Sequence, residues 1–413
     1  MALTNKKLSA DKLHIGMYVR KLDRPWLDTP FLMQGFLIKE AEEVSLLQSL
    51  CKHVYIDEVL GKQEIETTPS TSQIKEKYSR DDLIKLFPAT KLKLYRQKVD
   101  LDKELCTAKQ AYSELTDWVS QMMQAQRKGM PLPYQQLRNA IAPMVNSIIR
   151  NPNATMWLTR MKNADNYIYK HSLSTSVWSV ILGRQIGLPV NELESLAIGA
   201  LLCDVGMLNI PYGLIKTRGR LSEDNIKTVQ SHVNLGINSL KEIPSITEQD
   251  IMIVSNHHER CNGQGYPKGI SANEIPVMAK IVSIADSYDA MTSQRLHASA
   301  KSPVIAIKQL YELRGTAYQA ELVEEFIQAV GIFPTGTLVE LSTGQVAIVV
   351  AENKSRRLRP KILILLDANK KPTKNPSITD LMKQRSDEFE VPVLITKSLE
   401  PGAYGLNPEE VFF

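Results

Sequence analysis

The chain is 413 residues long, 43% hydrophobic and 23% charged, with a formal net charge of +5. That length gives about two to four domains, each able to bury a core, and the small positive balance suits an anionic small molecule without predicting a nucleic-acid polymer as partner. Cys51, Cys106, Cys203 and Cys261 are scattered and form no CxxC pair, which argues against a disulfide framework or a zinc ribbon and fits a reducing cytoplasm.

Taken in chain order, residues 6–60 alternate short apolar runs with turn residues. "GMYVRKLDR", "FLMQGFLI" and "KHVYIDEV" read as strands and "EEVSLLQSL" as a short helix, so residues 1–65 form a small α+β module. The N-terminus lacks the apolar stretch of a signal peptide. Residues 62–80, rich in Ser, Thr and Lys, read as a linker. From Asp81 to about Arg150 the pattern is helical, with Leu101, Leu105, Ala108, Tyr112 and Leu115 recurring at three- to four-residue spacing until Gly129 and Pro131. Residues 66–144 are thus linker and long helix. Such a helix either carries a homodimer contact or packs on its own domain, and the sequence leaves both open.

A helical domain is expected over residues 145–335. Within it "NELESLAIGALLCD" sets Leu193, Leu196, Ala197, Ala200 and Leu201 on one stripe. The most apolar run, residues 196–210, carries a carboxylate and falls short of the about 20 residues that span a bilayer, so no membrane segment is expected. After Pro334 the period changes to two. "TLVELSTGQVAIVVAEN", turning at Thr343-Gly344, and "PKILILLD" read as strands of a β-rich unit, residues 336–413. The basic run "KSRRLRPK" (354–361) between them reads as a solvated loop. The fold class is mainly α: a helical bundle with a small N-terminal α+β module and a C-terminal β-rich unit.

Inside the helical domain lie His171, Asp204, His232, His257, His258 and Asp286, each expected near a helix end. Helix ends can converge on one point of a bundle, and imidazoles with carboxylates suit Fe, Mn or Zn, with Asp204 able to bridge two ions. Two such ions can clamp a phosphodiester and activate water. Spacing alone leaves the alternative open that these are satisfied core or surface side chains.

The motifs settle on a resemblance. "HS" at 171–172, "LLCDVG" at 201–206, "SHVNLG" at 231–236, "HHERCNGQGYP" at 257–267 and "ADSYDAMTSQR" at 285–295 follow in order and resemble the HD-GYP family, bacterial phosphodiesterases that hydrolyse cyclic di-GMP. The match covers residues 145–335, and the HHE…GYP signature is highly specific. "GMYVRKLDRPWLDTPFLMQGFLI" resembles the domain of unknown function that precedes HD-GYP in a bacterial subgroup, and "GIFPTGTLVELSTGQVAIVV" fits the same group.

The resemblance implies an HD-type bundle, one or two divalent ions (Fe or Mn), and cyclic di-GMP or a related cyclic dinucleotide as ligand. It implies a first metal set of His171, Cys203, Asp204 and Asp286, and a second of Asp204, His232, His257 and His258, with Asp204 central to catalysis. Arg260 and Arg295 remain as candidate phosphate contacts, with a helix-surface salt bridge the alternative for each, and Gly265, Tyr266 and Pro267 form the turn beside the substrate. The sequence departs from the family where chemistry happens. The HD dyad reads Cys203-Asp204, the lysine three residues beyond that Asp is Met207, "DGxGYP" begins with Asn262, and "RPYK/R" reads Arg295-Leu296-His297-Ala298. Cys203 reads either as a thiolate ligand or as a buried apolar residue ending the "LAIGALL" stripe. Two functions follow: a degenerate member that binds nucleotide, metal or a protein partner with little turnover, or an active phosphodiesterase. A third option is a purely structural bundle.

Overall fold

In the computed structural model of the protein, residues 5–24, 36–38, 41–57, 80–130, 132–161, 167–215, 217, 219, 221–243, 245–295, 299–353, 358–373, 376–383 and 393–406 are described. The expected linker falls almost wholly outside these, as do Leu296, His297, Ala298 and the first four residues of the basic run.

The N-terminal unit is a four-stranded antiparallel sheet, β1 (Asn5–Ser9), β2 (Tyr18–Leu22), β3 (Phe36–Leu37) and β4 (His53–Asp57), in the order β1-β4-β2-β3, with helix α1 (Ala41–Leu50). Val19, Leu22, Ile38, Leu46, Leu47 and Val54 close its core.

The stretch read as helical from Asp81 to Arg150 is not continuous. After α2 (Arg80–Lys85), residues 86–100 run without helix, because Pro88 removes a donor and disfavours helix before it. This segment is laced to the bundle instead: Lys93 donates its backbone N–H to Gly187 at 2.7 Å, Lys98 to Arg150 at 3.0 Å, and the Tyr95 hydroxyl donates to the Leu188 carbonyl at 2.8 Å. Helix α3 (Leu101–Arg127) then buries Ala108, Ala111, Tyr112, Leu115, Val119, Met122 and Met123, one stripe at helical spacing. It ends in a Schellman motif: Gly129 at φ 75°, with Met130 N–H on Ala125 O and Gly129 N–H on Gln126 O. The apolar stripe packs on the chain's own core, the second of the two options the sequence left open.

The chain continues through α4 (Tyr134–Arg150), α5 (Pro152–Met161), α6 (Tyr167–Ile186), α7 (Val190–Leu202), a 3-10 turn (Val205–Asn209), α8 (Tyr212–Ile215), α9 (Glu223–Gln230), α10 (His232–Lys241), α11 (Glu248–Asn256), α12 (Val277–Thr292), α13 (Pro303–Glu312) and α14 (Ala320–Val330), and all of these share that core except α8 and α9, which bury no residue. Helix α6 lies centrally against α7, α12 and α14, its Trp178 fully buried edge-on to Tyr288 at 5.1 Å.

The C-terminal unit is a five-stranded antiparallel sheet, β5 (Leu338–Leu341), β6 (Val346–Ala351), β7 (Lys361–Leu366), β8 (Ile378–Asp380) and β9 (Ile395–Leu399), in the order β8-β7-β6-β5-β9. Alternate residues of β6 enter two cores. Val346, Ile348 and Val350 meet Trp157 of α5, while Ala347 and Val349 meet Phe333 and Val304. The loop before β7 is less solvated than its charges suggested. Leu358 packs against the cores of both terminal units, and buried Arg359 donates to the Leu381 carbonyl at 3.1 Å.

Candidate metal centre

Local sequence places each residue. Helix α11 starts in a capping box, with the Thr247 hydroxyl accepting from Asp250 N–H and the Asp250 carboxylate accepting from Thr247 N–H. The Tyr134 hydroxyl of α4 donates to the same carboxylate at 2.6 Å, fixing the helix at its start. Its other end delivers His257 and His258. Asp204 sits where α7 gives way to the 3-10 turn, and His232 opens α10. These two meet because Gly206 has no side chain: a Cβ there would lie 1.9 Å from the His232 carbonyl oxygen. His171 is in the second turn of α6. Asp286 corrects an expectation, since it lies mid-way along α12 and not near a helix end.

Two overlapping sets result, with the ligand atoms of each within 4.8 Å of one another: Asp204, His232, His257 and His258, and His171, Asp204 and Asp286. Asp204 Oδ1 faces His232 Nε2 at 3.2 Å and His257 Nε2 at 3.8 Å, and its Oδ2 faces His171 Nε2 at 3.6 Å. His171 Nε2 lies 2.9 Å from Asp286 Oδ1, its Nδ1 lies 2.7 Å from Asp289 Oδ2, and His258 Nδ1 lies 3.8 Å from Asp286 Oδ2.

These residues fit a divalent ion on the structure's own evidence. His232 donates Nδ1–H to the Val229 carbonyl at 2.7 Å and His257 to the Val254 carbonyl at 2.8 Å. Carbonyls only accept, so both rings are fixed with Nε2 turned inward. Both Nε2 atoms are buried with no hydrogen-bond partner among the described residues. A buried polar atom left unpaired costs about 1–3 kcal/mol, and a metal ion relieves that cost.

The charges favour the same guest. Burial opposes ionisation of Asp204, but the surrounding His232, His257 and His171 outweigh it and hold the carboxyl well below its usual range. Burial likewise opposes Asp286, and the hydrogen bond from His171 with the charge of His258 takes it down to about 2. Burial, then the charge of His257, pushes His258 well below an ordinary histidine, toward the neutral form that binds metal. Burial also works against a proton on His232, but Asp204 outweighs it and the ring is raised.

Cys203 is not brought into either set. It is fully buried in the bundle core, and burial, followed by the charges of Asp204 and Asp286, pushes its thiol well up. A protonated thiol among apolar side chains is a poor ligand, so the apolar reading of Cys203 is the one the geometry favours. Met207, on the 3-10 turn, offers no charge where the family has lysine.

The glycine-dense loop folds over the second set. Gly265 passes so close to the chain that a Cβ would lie 2.4 Å from Arg260 N and 2.6 Å from His258 O. Gly263 has φ 74°, Asn262 accepts from Gln264 N–H as an Asx turn, and the Tyr266-Pro267 bond is cis. The Tyr266 ring stacks on His258 at 4.5 Å between centroids. Glu259, whose role the sequence reading missed, is buried and ties the loop down by accepting from Lys268 N–H at 2.8 Å and Ile270 N–H at 3.2 Å. Arg260 is engaged inside the fold. It donates to the His257 and Glu259 carbonyls and the Ser283 and Ser287 hydroxyls, and lies over the Tyr318 ring, contacts that tie the loop to α12. Arg295 follows α12, half-buried, its Nε without a partner among the described residues.

A helical bundle that converges histidines and aspartates on one carboxylate is the architecture of the HD domain, a metal-dependent class. The family described as HD domain matches residues 153–322, a domain of unknown function (DUF3391) matches 5–137, and a KOW domain associated with HD domain matches 338–401. Within that class the chain belongs to the HD-GYP family, with DUF3391 ahead of its bundle. It is 27% identical over 378 residues to a cyclic di-GMP phosphodiesterase of Pseudomonas aeruginosa, covering 91% of this chain and 89% of the relative. It is 30% identical over 165 residues to a cyclic di-GMP phosphodiesterase of Thermotoga maritima, covering 40% of this chain and 45% of that one. A 3'3'-cGAMP-specific phosphodiesterase of Vibrio cholerae is 27% identical over 168 residues, 41% of this chain and 36% of the relative. Among solved structures, an HDG"Y"P protein from Bdellovibrio bacteriovorus covers 78% of this chain and 98% of its own at 17% identity and a TM-score of 0.41. Among the described residues, no helix is long and apolar enough to cross a membrane.

Proposed function

We propose that the chain is a cyclic-dinucleotide-binding HD-GYP protein with one strong divalent-metal set and one weakened set, and with weak or absent hydrolysis. The observation that carries this is the contrast between the two sets. His232 and His257 turn buried, unpartnered nitrogens toward Asp204, whereas the imidazole that the family has just before that Asp is replaced by a buried thiol, Cys203, that burial and two carboxylates keep protonated. The relatives named for cyclic di-GMP and 3'3'-cGAMP support the ligand class, and the free cysteines support a reducing compartment, the cytoplasm.

Asp204, His232, His257 and His258 would hold the stronger ion, Fe or Mn, and His171, Asp204 and Asp286 the weaker. Bound ions supply Lewis acidity and a hydroxide nucleophile at neutral pH. The chain's own residues do the rest: Glu259, Gly265 and Arg260 hold the loop closed, Tyr266 with His258 presents an aromatic face to a nucleobase or ribose, and Arg295 brings a cation toward phosphate. Met207 leaves no ammonium to meet a phosphate oxygen, so one charge-assisted bond is missing.

A second reading, an active phosphodiesterase giving linear pGpG or GMP, is favoured by the three donors that the first set retains. Metal content after loading with Mn(II) separates the two. One ion per chain is expected in the wild type and two after Cys203→His with Met207→Lys. Two ions already in the wild type would favour the active enzyme.

A further inference from the structure

We propose that Asp289 is the positioning residue of the first metal set, fixing the His171 ring so that Nε2 faces Asp204 and Asp286. The proposal rests on reading His171 as a metal ligand. Asp289 follows Asp286 by three residues on α12, so both carboxyls project from one face of the helix toward α6. It is 2% exposed. Its Oδ2 accepts from His171 Nδ1–H at 2.7 Å and from the Ser293 hydroxyl at 3.2 Å, and its Oδ1 accepts from the Trp178 indole N–H at 3.3 Å.

Three donors aimed at two oxygens leave the carboxyl no freedom to turn. Trp178 is itself locked against Tyr288, so the rigidity of α6 and α12 passes through Asp289 to the imidazole. Because a carboxylate oxygen accepts, Nδ1 donates to Asp289; Nε2, 2.9 Å from Asp286 Oδ1, donates there in the metal-free protein, and an ion takes the place of that second proton while Nδ1–H stays on Asp289. A carboxylate behind a ligating imidazole also raises its basicity. The effect is concentrated in this chain. With Cys203 outside the set, His171 is its one nitrogen donor among the described residues, and an imidazole flipped or tilted there leaves only carboxylates.

The test uses the full chain with 15N-labelled histidine, metal-free at one neutral pH, read by long-range proton–nitrogen correlation. His171→Gln identifies the ring by its missing signals. The expected result is a proton on His171 Nδ1 in the wild type that leaves in Asp289→Ala and stays in Asp289→Asn, whose amide oxygen still accepts. An unprotonated Nδ1 in the wild type, or a ring unchanged in Asp289→Ala, overturns the proposal, and the wild-type spectrum decides even where the alanine variant does not fold. In parallel, Mn(II) affinity of the set that survives in His232→Gln should fall about tenfold to hundredfold on adding Asp289→Ala. Equal affinity would also overturn it. A wild type that binds no Mn(II) while its Nδ1 proton depends on Asp289 removes the metal reading and leaves the positioning role standing.

Discussion

Gly206 is the tightest point of the site. Its missing Cβ lets the 3-10 turn lie on α10, and a methyl group there meets the His232 carbonyl at 1.9 Å with Gly236 N at 2.5 Å behind it. Backbone on both sides cannot yield like a flexible side chain. Gly206→Ala should therefore lower stability by about 1–3 kcal/mol, as overpacking does, and weaken the ion at His232 more than the ion at His171. Urea denaturation with metal titration checks this, and an alanine variant with wild-type affinity would contradict it. His232 gives a pH dependence of defined sign. Its pKa is raised in the folded, metal-free protein, so its charge contributes stability fully below about 6.5 and loses that contribution as pH rises through the raised value. Ion binding needs the neutral ring and runs the opposite way. Mn(II) affinity should climb through that window with proton release, measured by calorimetry in buffers of different ionisation enthalpy. A pH-independent affinity would contradict the assignment of His232.

At the scale of elements, the site depends on how helices are tied down at their far ends. Glu104 of α3, 2% exposed, accepts two bonds from Arg150 at 2.7 and 2.8 Å and one from the Ser147 hydroxyl at 2.8 Å, joining α3 to α4. Glu104→Ala should cost about 3 kcal/mol or more, since a half-buried guanidinium loses its partner. Equilibrium unfolding tests it, and a loss under about 1 kcal/mol would mean that the pair is screened as at a surface. Glu259 plays the corresponding part for the loop. Glu259→Gln should speed amide exchange at Lys268 and Ile270 while the helices keep their protection. Unchanged exchange would mean that the glycines and Pro267 hold the loop alone. The stripe on α3 and the glycine end of that helix were legible because both are local patterns. The non-helical run through residues 91–99 was not, because its hydrogen bonds go to Arg150 and Gly187, far along the chain.

Across the whole molecule, the bundle between two small β-containing units was legible from the change of period and from the ordered motifs. The two sets around Asp204 were legible as residue types, and the structure brings together six of the seven expected ligands. Cys203 could be read either way until its burial was known. Asp289 stayed hidden because its partner His171, 118 residues away, leaves no periodic trace, and Glu259 because its partners are backbone N–H groups, which no residue type marks. The cores of the two β-containing units both pack against Leu358. The measurement that bears most directly on this protein is turnover of cyclic di-GMP by the purified full chain, run anaerobically with Fe(II) and in parallel with Mn(II), with linear product followed by chromatography. Little or no product is expected from the wild type, with turnover rising in Cys203→His with Met207→Lys. Robust metal-dependent product from the wild type would contradict the weakened first set and make the chain an active phosphodiesterase.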